Sequence, residues 1–165
     1  AYRYKYPRID PSTLPFVRGS ERNQAGIGIN LQQSITGELG FFLRAMNTDG
    51  KTETMSFAEV DDSLSLGLVA MATMLGRPSD TFGIAYASNA ISDERRRFLE
   101  VGGLSLFLGD GRLNYRAEKI LEAYYSFDAG NDIHVTADYQ YITNPGYNAD
   151  RGPISIFGLR LHKEF

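Results

Sequence analysis

The sequence predicts an all-β protein: an antiparallel transmembrane β-barrel of about eight strands, forming one unit across residues 1–165. Three observations predict it. Apolar and polar residues alternate by twos in nearly every segment, as they do when successive side chains leave a strand on opposite faces. Short and long connections alternate along the chain, the habit of outer-membrane barrels. The long, largely apolar charge-free stretch "SLSLGLVAMATMLG" (63–76) is too short and too glycine-broken for a transmembrane helix, which needs about 20 apolar residues.

Each strand is legible in turn. "YRYKY" sets Tyr2, Tyr4 and Tyr6 against Arg3 and Lys5, and "AGIGINLQQ" sets Ala25, Ile27, Ile29 and Leu31 against Gly26, Gly28, Asn30 and Gln32. "ELGFFLRAM" aligns Leu39, Phe41, Leu43 and Ala45 with Gly40 and Arg44 behind them. "DSLSLGL" and "TFGIAYA" repeat the pattern with serine, glycine and alanine on the polar side. "EKILEAYYSF" turns Leu121, Ala123, Tyr125 and Phe127 one way and Glu118, Glu122, Tyr124 and Ser126 the other. "IHVTADYQY" is the clearest case, and "GLRLHKEF" ends the chain on the same rhythm, with Arg160, His162 and Glu164 opposite Leu159, Leu161 and Phe165. Each runs to roughly the ten residues a tilted membrane strand requires.

Residues 34–37 and 128–132 read as tight turns; 8–22, 47–55, 91–112 and 144–153 read as longer loops. Residues 71–80 fall on the short-turn side yet are longer than the pattern expects. Counting back from a last strand that ends in the periplasm puts Ala1 there too, as an even strand count requires. No signal peptide is visible ahead of "YRYKY". One segment breaks the alternation. "SDERRRFLEVGG" opens on the N-cap residues Ser92 and Asp93 and stops at Gly102 and Gly103, predicting a short helix near 92–102 inside a loop. Arg95, Arg96 and Arg97 would fan around it, into the pore mouth or onto lipopolysaccharide phosphates, which arginine binds bidentately.

Composition removes several functions. A net charge of −3 and a pI near 5.4 leave no basic footprint for nucleic acid. No cysteine is present and only two histidines, His134 and His162, so thiolate chemistry and cysteine zinc sites are excluded. "GIGIN" lacks the strand–glycine–helix context of a dinucleotide site. His134 and Asp138 are four residues apart on one strand, about 13 Å, too far for a triad hydrogen bond. "DDSLS" and "NADRG" do not fit a calcium loop. The reading is of a non-enzyme without cofactor or metal.

The chain also resembles a known family. "EKILEAYYSF" carries Glu118, Leu121, Glu122, Tyr124 and Tyr125; "DYQYITNPG" carries Asp138, Gln140, Tyr141, Asn144 and Pro145; "GLRLHKEF" carries Gly158, Arg160 and the final Phe165. With "FLEVGGLSLFLGDG", "GELGFFLRA" and "GRPSDTFGIAYA" in the same order, the chain is similar to carbohydrate-selective porins of the OprB type. The resemblance implies an outer-membrane channel of a Gram-negative cell for passive diffusion of small sugars such as glucose, with this chain matching the C-terminal half of about sixteen strands. It implies lipid and lipopolysaccharide around the barrel, Phe165 as an assembly signal read by the barrel-insertion machinery, and a homo-oligomer or an N-terminal half as partner. Arg44, Glu118, Glu122, Tyr124, His134, Asp138 and Arg160 are the expected pore-lining residues, facing the lumen by alternation. The alternative is a small closed eight-stranded barrel with a structural or binding role: eight strands enclose an interior filled by side chains, while sixteen leave a channel. A soluble carrier is disfavoured by the polar inner and apolar outer faces.

Overall fold

The computed structural model describes residues 23–51, 59–102, 108 and 112–164. Seven strands form one sheet: β1 (Gly26–Ser34), β2 (Leu39–Thr48), β3 (Asp62–Ala72), β4 (Arg77–Ala90), β5 (Glu118–Gly130), β6 (Ile133–Thr143) and β7 (Ile154–Lys163). Each strand pairs antiparallel with the next, in sequence order. The expected strand at "YRYKY" and the terminal Phe165 lie outside the described residues. Among those described, β1 and β7 are not paired with each other, so the sheet that the described strands form is open. All nine residues of β1 and all ten of β7 are exposed.

Alternation decides which face is which. Leu64, Leu66 and Leu68 of β3, Phe82 and Ile84 of β4 and Leu121 of β5 are exposed, while Ser63, Ser65 and Gly67 on the other side of β3 are half-buried or buried. Leu43 pairs with Leu66, Leu66 with Tyr86, Tyr86 with Leu121 and Leu121 with Tyr141. One apolar band thus crosses strand after strand, and a one-residue slip anywhere would exchange the faces. On β6 and β7, Tyr139 stacks against Phe157 with ring centroids 5.0 Å apart on the apolar side.

Every connection leaves the sheet at one of two ends. At the turn end, β5 and β6 are joined through Asn131 and Asp132 (φ 53° and 59°). Two consecutive left-handed residues match the twist of the strands they join. The unexpectedly long 71–80 connection is mostly strand. β3 continues to Ala72, a 3-10 turn spans Thr73–Leu75, Gly76 adopts φ 71°, and β4 already begins at Arg77. Asp80, fully buried, holds that end together. Its carboxylate accepts from the Arg77 guanidinium, the Tyr125 hydroxyl and the Asp128 amide. Arg77 also covers the Phe127 ring, 4.1 Å from its centroid.

At the loop end Ile91, Phe98, Leu99, Leu108 and Tyr147 form a small core, with Leu113 and Tyr115 packed against it. The predicted helix is present as α1 (Asp93–Glu100), with Ser92 as N-cap accepting from the Arg95 amide.

Opposite faces should respond oppositely to charge. Leu66→Arg, at the middle of the apolar band, is expected to cost about 2–4 kcal/mol in vesicle-bound unfolding by urea. Ala85→Lys, on the polar face opposite Glu122, is expected to cost under about 1 kcal/mol.

Candidate functional site: the polar face and its loop cover

The polar face is built by every second residue. Asn30 of β1 meets Arg44 of β2, and Arg44 meets Ser65 of β3. Gly83 and Ala85 of β4 meet Tyr124 and Glu122 of β5. Tyr124 and Glu122 meet Asp138 and Gln140 of β6, and Asp138 meets Gly158 of β7. This wall is lined with hydrogen-bonding groups that already engage each other: Gln140 Nε2 donates to Glu122 Oε2 (3.2 Å), and Thr136 Oγ1 to Ser126 Oγ (3.0 Å).

Of the expected lining residues, Glu122, Tyr124, Asp138 and Arg160 come together around one recess of about 310 Å³. Arg44 lines a second, of about 490 Å³, with Asn30, Ser63 and Ser65. The other two are apart. Glu118 sits at the loop end, where Oε2 accepts from the Gly146 amide (2.9 Å). His134 sits at the turn end beside His162, ring centroids 6.4 Å apart.

The three arginines of α1 do not act alike. Arg95 is 7% exposed and turned into the protein. Its guanidinium grips the fully buried Asp61 in two bonds, Nε to Oδ2 at 2.8 Å and Nη2 to Oδ1 at 2.9 Å. A fork-to-fork pair of this kind satisfies both carboxylate oxygens at once, which is why the charge can be buried. The Ser92 amide adds a third bond to Asp61 Oδ2 (2.7 Å), and the Ser92 hydroxyl donates to the Gly50 carbonyl (3.3 Å). Arg96 lies over the Tyr115 ring at 5.2 Å and bridges to Glu100 (3.3 Å). Arg97 is on the exposed side of the helix. Local spacing gave no hint that Asp61 and Arg95, 34 residues apart, would meet.

The loop cover extends over the end of the polar face. Tyr147, 4% exposed, donates its hydroxyl to the Glu59 carbonyl (2.8 Å), and Asn144 Nδ2 donates to the Ala117 carbonyl (3.0 Å). Tyr115 bridges to Asn148. Burial pushes the Tyr147 hydroxyl well above its ordinary value, so it stays a neutral donor. Burial pushes the Asp61 carboxyl up, but the Arg95 and Ser92 bonds outweigh it and hold the group below its ordinary 3.8.

An open, sequentially wound antiparallel sheet with one apolar and one polar face, loops gathered at one end and tight turns at the other, is the wall of a membrane β-barrel. The model of the OprB family of carbohydrate-selective porins matches residues 4–165, and the chain belongs to that family, whose members are channels rather than enzymes. A solved structure, the high-pH structure of Pseudomonas putida OprB, superimposes with a TM-score of 0.65 at 24% identity, covering 82% of this chain and 34% of that one. The chain therefore spans about a third of that protein's length. Among curated proteins no match was found.

The Asp61–Arg95 clamp has a pH signature. Because the folded carboxyl lies below its unfolded value, its stabilisation is complete above 3.8 and is lost only as pH falls through the lower folded value. Protection of the amides across 91–101 relative to their intrinsic exchange rates is expected to hold at pH 5 and to fall only below pH 3.8. Arg95→Ala strands a buried carboxylate, expected to cost about 3–5 kcal/mol, and should expose the loops to proteolysis at neutral pH.

Proposed function

We propose that this chain forms part of the wall of an outer-membrane channel in a Gram-negative cell, through which small uncharged sugars such as glucose diffuse down their gradient. The observation that carries this reading is the two-faced sheet. An apolar band meets lipid while Arg44, Glu122, Tyr124, Asp138, Gln140 and Arg160 line the opposite face with groups that can replace water around hydroxyls. Family membership points the same way. No energy source enters, because nothing in diffusion down a gradient needs one.

In this reading the loop end faces outside and the turn end faces the periplasm, as in outer-membrane barrels generally. The cluster of α1 with 144–153 narrows the mouth above the polar face. The edges of β1 and β7 are where the wall continues into further strands, since unpaired backbone groups cannot face hydrocarbon. Lys119, on the apolar face near the loop end, and the exposed Arg97 and Arg112 lie at the height of lipopolysaccharide phosphates. Phe165 engages the barrel-insertion machinery, through pairing of an exposed strand edge.

Single-channel recording in a planar bilayer tests the reading. Discrete open channels are expected, with the current blocked by glucose at roughly millimolar levels, the weak affinity that passage requires. Open channels of the completed barrel whose current glucose does not block would contradict it.

A further inference from the structure

Among the described residues, Phe42 and Tyr124 carry benzene-type rings on the polar face, and each rests on a glycine. Phe42 of β2 pairs directly with Gly67 of β3, and Tyr124 of β5 pairs directly with Gly83 of β4. The fit leaves no room for a side chain. A Cβ on Gly67 would lie 2.5 Å from Phe42 Cε1, and one on Gly83 would lie 2.2 Å from Tyr124 Cε1. Each ring therefore leans off its own strand and over its neighbour, one from each side of the β3–β4 hairpin. Gly67 pairs with Ala85 and Gly83 with Val69, so the two glycines are diagonal neighbours about 7 Å apart. The rings thus converge on adjacent ground of this face.

Their flanks are charged in a definite order. The Arg44 guanidinium stands 5.4 Å from the Phe42 centroid and opens onto the recess with Asn30, Ser63 and Ser65. Beyond Tyr124 lies the recess lined by Glu122, Asp138, Gln140 and Arg160, whose 310 Å³ falls at the small end of the range for ligand sites, about 300–1,000 Å³. A hexopyranose has the complementary make-up: one face of C–H groups, and a rim of hydroxyls that both donate and accept. An aromatic face is negative and attracts C–H groups. Arg44 and Gln140 donate to hydroxyl oxygens, and Glu122 and Asp138 accept from hydroxyl hydrogens.

We propose that Phe42 and Tyr124, seated on Gly67 and Gly83, form a two-ring shelf on which the apolar face of a hexopyranose rests during passage, with its hydroxyls turned to Arg44 on one side and to Glu122, Asp138 and Gln140 on the other. The shelf rests on the sugar-channel reading and goes beyond it by naming where in this wall the sugar is held. The rival role for the rings is structural: covering glycines that would otherwise weaken the sheet.

Glucose block in planar bilayers separates the two. Phe42→Leu and Tyr124→Leu keep bulk but remove the ring. They are expected to raise the half-blocking glucose concentration about three- to tenfold in channels that still conduct salt. Tyr124→Phe, which keeps the ring and loses only the hydroxyl, is expected to weaken block less than Tyr124→Leu does. Gly83→Ala, which forces Tyr124 off the wall, should behave like Tyr124→Leu. Leucine variants that conduct and block like the parent would overturn the shelf alone. A parent that conducts salt with no sugar block would overturn the sugar reading and the shelf with it. Should the leucine variants fail to fold, Tyr124→Trp supplies a second readout, because the chain has no other tryptophan. Its emission is expected to shift as glucose is titrated, and an unchanged spectrum at saturating glucose would overturn the shelf.

Discussion

Hydrocarbon offers no hydrogen-bond partner, and the rest of this structure follows from that constraint. A backbone crossing it must pair every N–H and C=O within the protein, which leaves helices and closed sheets as the only spanning forms. Among the described residues no helix is long and apolar enough to cross, and seven strands pair continuously from β1 to β7. Once the ladder is fixed, the side chains have no further freedom of direction. Leu66 cannot face lipid without Ser65 and Gly67 facing the other way. The polar wall and the apolar band are therefore two consequences of one register.

The two ends are held by different means that share a logic. At the turn end Asp80 collects Arg77, Tyr125 and the Asp128 amide, tying the β3–β4 turn to β5. At the loop end Asp61 collects Arg95 and the Ser92 amide, tying α1 to the head of β3. In each case a buried carboxylate is affordable only because several donors converge on it. Each clamp joins segments that the sheet ladder alone would leave separate. Arg95 is thereby committed to holding the loop cover together.

Much of the fold was legible in the sequence because strand periodicity is local. The alternation in 118–127 and 133–141 set the faces of β5 and β6, and Ser92 with Gly102 marked the bounds of α1 to within about two residues. What was not legible depends on residues far apart. The Asp61–Arg95 pair spans 34 positions and has no periodic trace. The 71–80 connection reads as long in the sequence, yet much of it is strand: Arg77 pairs with Ala72, and Asp80 accepts from the Asp128 amide of β5, 48 positions away. Phe42 shares Arg44's parity, but it adjoins Phe41 in the apolar series Leu39, Phe41, Leu43 and so reads locally as part of it. The available signal was a pair of glycines, Gly67 and Gly83, on the polar side of neighbouring strands.

The central claim, that alternate residues of each strand meet lipid and water, is open to direct measurement. The chain has no cysteine, so single cysteines placed from Ile120 to Phe127 of β5 can each carry one fluorophore in lipid vesicles. Quenching by a lipid-soluble agent should peak at Leu121, Ala123 and Tyr125, and quenching by a water-soluble agent at Ile120, Glu122 and Tyr124. Uniform exposure to the aqueous quencher along the strand, or a period near 3.6, would contradict the two-faced membrane wall on which the functional reading stands.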